Sequence, residues 1–206
     1  MDTVRESLRG VRHPDDPQSR RRAAVLVALF EDDGVLRVVL TKRASTLSRH
    51  QGEISFPGGI SDPDDPTPLD TALREAREEI GLDPAVVDVL GPLDALPTSS
   101  SGYLILPFVG WIPWPCDLSA DAREVERILT PPLEAFGEGS GRRVEHWERH
   151  GAVYPMYFFD VEGEVVWGAT SRLLVALHER LEGRTPELAL RPRQRPEPAS
   201  GPASGP

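Results

Sequence analysis

Two carboxylates, Glu78 and Glu79, follow a third, Glu75, three and four residues on, with Arg74 directly before it. On a helix these positions share one face, so the three charges crowd and repel one another. Such a cluster costs stability unless a cation sits among it. Hard divalent ions prefer carboxylate oxygens, and magnesium keeps waters that a phosphate group can replace. A metal ion beside a phosphate-bearing ligand is the chemistry this pattern could support. Taken alone, an acidic helix face is more often plain solvated surface.

A helix must carry these residues. Thr67 suits an N-cap, Pro68 is favoured in a first turn, and Gly81 is a natural C-terminal stop. Between them Leu69, Ala72, Leu73, Ala76 and Ile80 recur at helical spacing and form one apolar stripe. At about 100° per residue, the carboxylates form a second stripe centred roughly 130° from the first. The spacing therefore predicts Leu73, Ala76 and Ile80 in the core and the three glutamates on an exposed face. Ahead of the helix, residues 23–30 are an apolar run of strand length, Glu31-Asp32-Asp33-Gly34 is turn chemistry, and residues 35–41 are strand-like again, together a hairpin. Residues 52–59 begin extended and close on the turn Pro57-Gly58-Gly59, and residues 61–68 form a loop rich in Asp and Pro. After the helix, residues 86–96 and 104–111 read as strands, and residues 124–133 fit either class. Residues 154–161 and 165–167 form a late hairpin around Glu162-Gly163. Residues 170–181 are helical, with Leu173, Leu174, Leu177 and Leu181 on one face.

A Pro-Gly-Gly turn, an acidic loop and a capped helix thus lead directly into the carboxylates. This arrangement resembles the Nudix box, whose second half reads Arg-Glu-apolar-x-Glu-Glu-x-Gly-apolar. Residues 74–82 match it at every fixed position, with the small Ala76 at the first apolar site. The first half departs. Measured from Gly59 there is one extra residue before Arg74, and Asp65 stands where the loop glutamate is usual. The resemblance implies a Nudix fold of the α+β or α/β class, a mixed β-sheet sandwiched between α-helices. It implies Mg2+ (or Mn2+) as cofactor, with Glu75, Glu78 and Glu79 as the metal set and Glu75 serving as ligand or as base for the attacking water. Arg74 would hold one carboxylate through a two-pronged hydrogen bond. Gly58 and Gly59 would bring the backbone close to substrate. The reaction implied is cleavage of a phosphoanhydride.

A second resemblance narrows the substrate. Leu40-Thr41-Lys42-Arg43-Ala44, then Leu47, Gly52-Glu53 and Phe56-Pro57-Gly58-Gly59, looks like the segment before the box in the coenzyme A pyrophosphatase subfamily. Ser101-Gly102-Tyr103 with Pro107, Pro132-Leu133 and Trp167-Gly168-Ala169-Thr170 are also similar to that subfamily, so the likeness covers residues 22–182. It implies hydrolysis of coenzyme A or acyl-coenzyme A to 3',5'-ADP and (acyl) 4'-phosphopantetheine. Another Nudix substrate (ADP-ribose, NADH, a nucleotide sugar) and a non-catalytic ligand-sensing module are the alternatives, and the complete Arg74, Glu75, Glu78, Glu79 set argues against the last. Arg43 and Arg49 are candidate phosphate contacts, although exposed arginines on a strand end and a loop would look the same. Glu53, Asp65, Glu124 and Glu126 are candidates for a further acidic ligand. His50 could touch a phosphate or face solvent. Core packing accounts for Trp111 and Trp167, whereas Trp114 and Trp147 could stack on an adenine or edge the pocket.

Composition bounds the rest. A chain of 206 residues suits one domain with a substantial core. The expected organisation is a flank at residues 1–21, the domain at 22–182 and a disordered tail rich in Pro, Arg, Ser and Gly at 183–206. The net charge of −10 argues against broad nucleic-acid binding but not against a small anionic ligand, because a divalent metal inverts the local field. No apolar run has bilayer length, so no membrane partner is expected. Cys116 is the single cysteine, read as a passive side chain, and a reducing, cytoplasmic setting is the natural expectation. The expected partner is a small molecule, and self-association into a homodimer is compatible with the sequence.

Overall fold

The computed structural model describes residues 1–14, 21–46, 50–98, 102–149, 152–186, 188 and 191–192. A short helix, α1 (Asp2–Ser7), comes first. Strands β1 (Arg21–Asp32) and β2 (Val35–Val38) form the expected hairpin, with Asp33 and Gly34 at φ of 49° and 77° in its turn. Both turn residues therefore take the left-handed conformation that a two-residue hairpin needs. The second half of residues 35–41 does not continue that hairpin. Instead β3 (Leu40–Arg43) leaves for a second sheet, where it pairs with β4 (Ile54–Ser55) and β9 (Val125–Leu129). After β5 (Gly58–Ile60) comes α2 (Pro68–Ile80), then β6 (Asp88–Pro92), β7 (Leu96–Pro97) and β8 (Tyr103–Trp111). Beyond β9, strands β10 (Arg143–Arg149), β11 (Ala152–Val161), β12 (Glu164–Val166) and β13 (Arg191–Pro192) make a third sheet, and α3 (Gly168–Leu181) follows β12.

The central sheet has the order β2-β1-β8-β6, with β5 also on β1 and β7 on β8. It is mixed, because β1 and β8 run parallel while the other pairs are antiparallel. β1 is buried on both faces, which is why residues 23–30 read as a continuous apolar run rather than an alternation. Leu26, Ala28 and Phe30 pack with Ala72, Ala76 and Ile80 of α2. Val27 and Leu29 point the other way, into the core shared with Leu173, Leu174 and Leu177 of α3. The fold is thus the expected mixed sheet between helices. Among the described residues no helix is long and apolar enough to cross a membrane.

Several local expectations are corrected. Residues 86–96 are not one strand. A 3-10 turn (Pro84–Val86) capped by Asp83 precedes β6, and a break at Leu93 separates β6 from β7. Residues 124–133 resolve into β9 and the start of a 3-10 turn (Leu133–Phe136). The N-terminal flank contributes to the core: Val4 and Leu8, one helical turn apart, are 3% exposed and join the α3-side core. The tail expectation changes too. Leu188 is buried in the same core, and Arg191 and Pro192 pair with β11. The remainder of that tail lies outside the described residues.

Candidate active site

α2 is built as its end signals predict. The Thr67 hydroxyl accepts the Asp70 N–H, and Gly81, at φ 68°, closes the helix by donating to the Ala76 and Arg77 carbonyls. The helix docks through Ala76 and Ile80 beside β5, while Leu73 is only partly buried. β5 pairs with β1, Val25 opposite Gly58 and Ala24 opposite Gly59, so the glycine turn is pressed between strand and helix. Both glycines stand at close approaches. A Cβ on Gly58, whose φ is 155°, would meet the Ala24 carbonyl oxygen at 2.4 Å, and one on Gly59 would meet the Glu75 carboxyl carbon at 2.5 Å.

The glutamates divide their positions. Glu75 lies against Gly59. Glu79 turns inward, is 3% exposed, and accepts the Gly58 N–H at 3.1 Å. Glu78 stays out, its side chain 59% exposed. The expectation of three exposed carboxylates is therefore corrected for Glu79, because the contact of α2 with β5 covers that part of the helix. Burial, above all, pushes the Glu79 carboxyl up to about 7, with the charges of Glu75 and Glu124 acting in the same direction against the Gly58 N–H and Arg43. Burial also raises Glu75, opposed chiefly by Arg74.

Arg74 organises the outer half of the cluster. Its Nε and Nη2 each donate at 3.0 Å to the two oxygens of Asp65, a bidentate fork, and its Nη1 reaches Glu75 and Glu78 at 3.0 Å each. The two-pronged bond thus falls on the loop carboxylate rather than on a helix glutamate. Asp65 also accepts from the Thr71 hydroxyl and the Asp62 N–H. Its hydrogen bonds to Arg74 hold its carboxyl well below the usual carboxylate range. This engagement turns Asp65 into the anchor of Arg74. On the opposite side Arg43 places Nη1 3.7 Å from Glu79, and its Nε is buried with no hydrogen-bond partner among the described residues.

The remaining candidates separate. Glu124 acts electrostatically on both Glu75 and Glu79, while Glu126 is drawn off by Lys42 at 3.0 Å. Glu53 is engaged by His50 at 2.9 Å, an arrangement that closes the turn between β3 and β4. Arg49 and Leu47 lie outside the described residues. Trp114 stacks on Phe30 at 3.9 Å, away from these carboxylates. Trp167, expected in the core, is 36% exposed and lines a cavity together with Trp147. Burial raises the Cys116 thiol, which makes it a poor nucleophile.

Among the described residues no three Asp, Glu, His or Cys side chains are gathered into a ready cation cage. The donor set nevertheless suits a hard divalent ion in kind. It consists of carboxylate oxygens, and the buried member, Glu79, carries a pKa raised chiefly by burial, a shift that a bound cation would oppose.

A family model described as the NUDIX domain matches residues 20–157. The chain is 45% identical over 163 residues to Nudix hydrolase 22, chloroplastic, of Arabidopsis thaliana, an alignment covering 75% of this chain and 53% of that protein. It is 35% identical over 164 residues to the uncharacterized Nudix hydrolase NudL of Photorhabdus laumondii, covering 80% of this chain and 87% of that one. The chain therefore spans about half the length, 53%, of the plant relative and most of the bacterial one. The crystal structure of a MutT/nudix family protein from Enterococcus faecalis superposes with a TM-score of 0.56 at 12% identity, covering 86% of this chain and 69% of that one, a likeness of fold.

Proposed function

Because the chain belongs to the Nudix family of hydrolases, we propose that it cleaves the phosphoanhydride of a nucleoside diphosphate derivative with a divalent metal, and that this derivative is coenzyme A or acyl-coenzyme A. The observation that carries the reading is the clasp of the Gly58-Gly59 turn by Glu75 and Glu79, with Arg43 beside the buried carboxylate. Water attacks one phosphorus and the P–O–P bridge breaks, giving 3',5'-ADP and (acyl) 4'-phosphopantetheine. Glu75, Glu78 and Glu79 would hold Mg2+ or Mn2+. When bound, such an ion lowers the pKa of a water and offsets charge on the phosphate oxygens.

The chain's own residues have distinct tasks in this scheme. The Gly58 N–H fixes the Glu79 carboxylate, and Arg74, itself locked by Asp65, sets the direction of Glu75. Glu75 would take the proton of the attacking water. Arg43, with an unused buried Nε, is available to a phosphate oxygen. Coenzyme A is favoured by the motif residues of β3 and β4. Arg43 closes β3, and its N–H donates to the Glu53 carbonyl at 3.0 Å, which ties β3 to the segment leading into β4 beside the site. Initial rates over coenzyme A, acyl-coenzyme A, ADP-ribose and NADH, with Mg2+ and with chelator, test the proposal. Metal-dependent turnover led by coenzyme A or its acyl ester is expected. Preference for ADP-ribose or NADH would overturn the substrate, and absence of turnover on all four would overturn the enzyme reading.

A further inference from the structure

α3 begins without a side-chain cap: Trp167 holds the N-cap position, and no side chain bonds the first N–H groups. Those groups lack intrahelical partners and, with the helix dipole, favour an anion. Gly168 and Ala169, the first two residues of α3, line a cavity of about 210 Å3 walled by Leu96, Trp147, Tyr154, Met156 and Trp167. Arg172, one turn further along the same helix, lines it as well.

Arg172 is 7% exposed, yet among the described residues no carboxylate pairs with it. Its Nη2 donates to the Leu188 carbonyl, and its Cζ lies 5.9 Å from the centre of the Tyr154 ring. Burial lowers its pKa, and the groups that oppose this are the tyrosines Tyr157 and Tyr154. Buried charges are ordinarily paired, so a guanidinium held in this way is a standing preference for an anion. The mouth of the cavity favours a flat, apolar body. Trp167 and Phe158 stack with planes 6° apart at 6.3 Å, and Trp147 is tilted against both at 6.3 Å. Trp147 and Trp167 remain 38% and 36% exposed, an aromatic surface that internal packing does not use. The acid at the rim, Glu145, is already engaged by the Trp147 N–H and by Arg143.

The cavity is also tied to the candidate active site. Thr170, next to Ala169, donates to the Ile54 carbonyl of β4. Ile54 lies four residues before Gly58, a span of at most about 13 Å at about 3.3 Å per residue.

We propose that this cavity binds a planar apolar group bearing an anion, with the anion held by the α3 N-terminus and Arg172 and the flat body stacked on Trp147 and Trp167. Two sources carry that chemistry: the phosphorylated nucleoside end of the substrate, and a separate small aromatic acid. The first rests on the phosphoanhydride reading above, whereas the second is independent of it.

Isothermal titration of the metal-free, full-length protein tests binding without turnover. The probes are adenosine 3'-monophosphate and 2-naphthoate, with adenosine and 2-naphthalenemethanol as their neutral counterparts. At least one anion is expected to bind about tenfold or more tighter than its neutral counterpart, a difference of about 1.4 kcal/mol. Arg172→Gln should erase that preference, and Trp147→Ala should weaken binding of both charged and neutral forms. Trp147 is at the surface, so its variant decides the matter if Arg172→Gln does not fold. No binding by either anion, or binding untouched by Trp147→Ala, would overturn the proposal. If adenosine 3'-monophosphate binds and competes with coenzyme A in hydrolysis, the site is the substrate's nucleoside end. If 2-naphthoate binds without competing, the site belongs to a separate ligand. Naphthoate binding in a protein that turns over none of the nucleotides would defeat the enzyme reading and leave this site standing.

Discussion

The two glycines of the turn separate fold from chemistry at the level of single atoms. A methyl group on Gly58 meets backbone at 2.4 and 2.7 Å, which cannot yield, and it adds a side chain at a φ of 155°. A methyl group on Gly59 meets the far end of the Glu75 side chain, which can rotate away. Gly58→Ala should therefore cost stability, of order 2 kcal/mol or more, whereas Gly59→Ala should melt near the parent and lose activity by displacing Glu75. Thermal melts alongside initial rates distinguish the two, and equal melting of both variants would contradict the geometry. Glu79 makes the complementary case. Glu79→Gln is nearly isosteric and keeps an acceptor for the Gly58 N–H, but it removes the charge that burial and Glu75 disfavour. We expect about a hundredfold or greater loss of rate with no loss of melting temperature in chelator. Near-normal rates would exclude Glu79 from the metal set.

At the scale of elements, α2 is legible in the sequence because its signals are local. The Thr67 cap, the stop at Gly81 and the apolar stripe through Ala76 and Ile80 are all contained within the helix. What the helix cannot reveal is which carboxylate the rest of the molecule will cover. Glu79 is buried because β5 crosses beside it, and the Arg74 fork lands on Asp65 because the loop folds back onto the helix, both long-range outcomes. The β3 departure at Val39 and the strand β10 are unreadable for a related reason. Val39 donates to Ala28 at the junction of two sheets, and β10 carries charged residues whose pairing is with β11. The N-terminal flank is a third instance. His13 Nε2 lies 3.0 and 3.1 Å from the Leu93 and Pro107 carbonyls and packs edge-on to Phe108, so it latches the chain after α1 to the central sheet. Burial lowers its pKa in the folded protein. Folding favours the neutral form of a depressed histidine, so the latch contributes fully above the unfolded value of about 6.5 and weakens as pH falls below it. Amide hydrogen exchange in α1 should accelerate between about pH 6.5 and 5 relative to β8, after correction for intrinsic rates. His13→Gln, which cannot charge, should flatten that dependence. If both proteins show the same profile, the latch is not His13.

For the whole molecule, the core on the α3 side is assembled from both ends of the chain. Val4 and Leu8 enter it from the N-terminal flank and Leu188 from the tail, while Arg172 donates to the Leu188 carbonyl. The composition of residues 183–206 hides this, since two leucines, Leu188 and Leu190, in a Pro- and Arg-rich stretch are too few to set a sustained periodicity, and the burial of Leu188 is a long-range outcome. We expect the boundary that matters for stability to be set by Leu188 and β13 rather than by the change in composition at Gly183. Residues 193–206 contain no apolar side chain larger than Ala apart from Pro, so removing them should leave melting and hydrolysis near the parent. Removing residues 186–206 also takes Leu188, leaving its pocket in the core open and Arg172 without its carbonyl. Loss of a buried leucine at a chain end should cost about 1–3 kcal/mol, or roughly 3–10 °C in a domain of this size. The single substitution Leu188→Ala in the full chain should reproduce most of that drop, because it creates the same void while sparing the backbone. If the two truncations melt alike, Leu188 contributes nothing to the core; if Leu188→Ala is silent while the longer truncation is not, the pairing of β13 with β11 carries the effect.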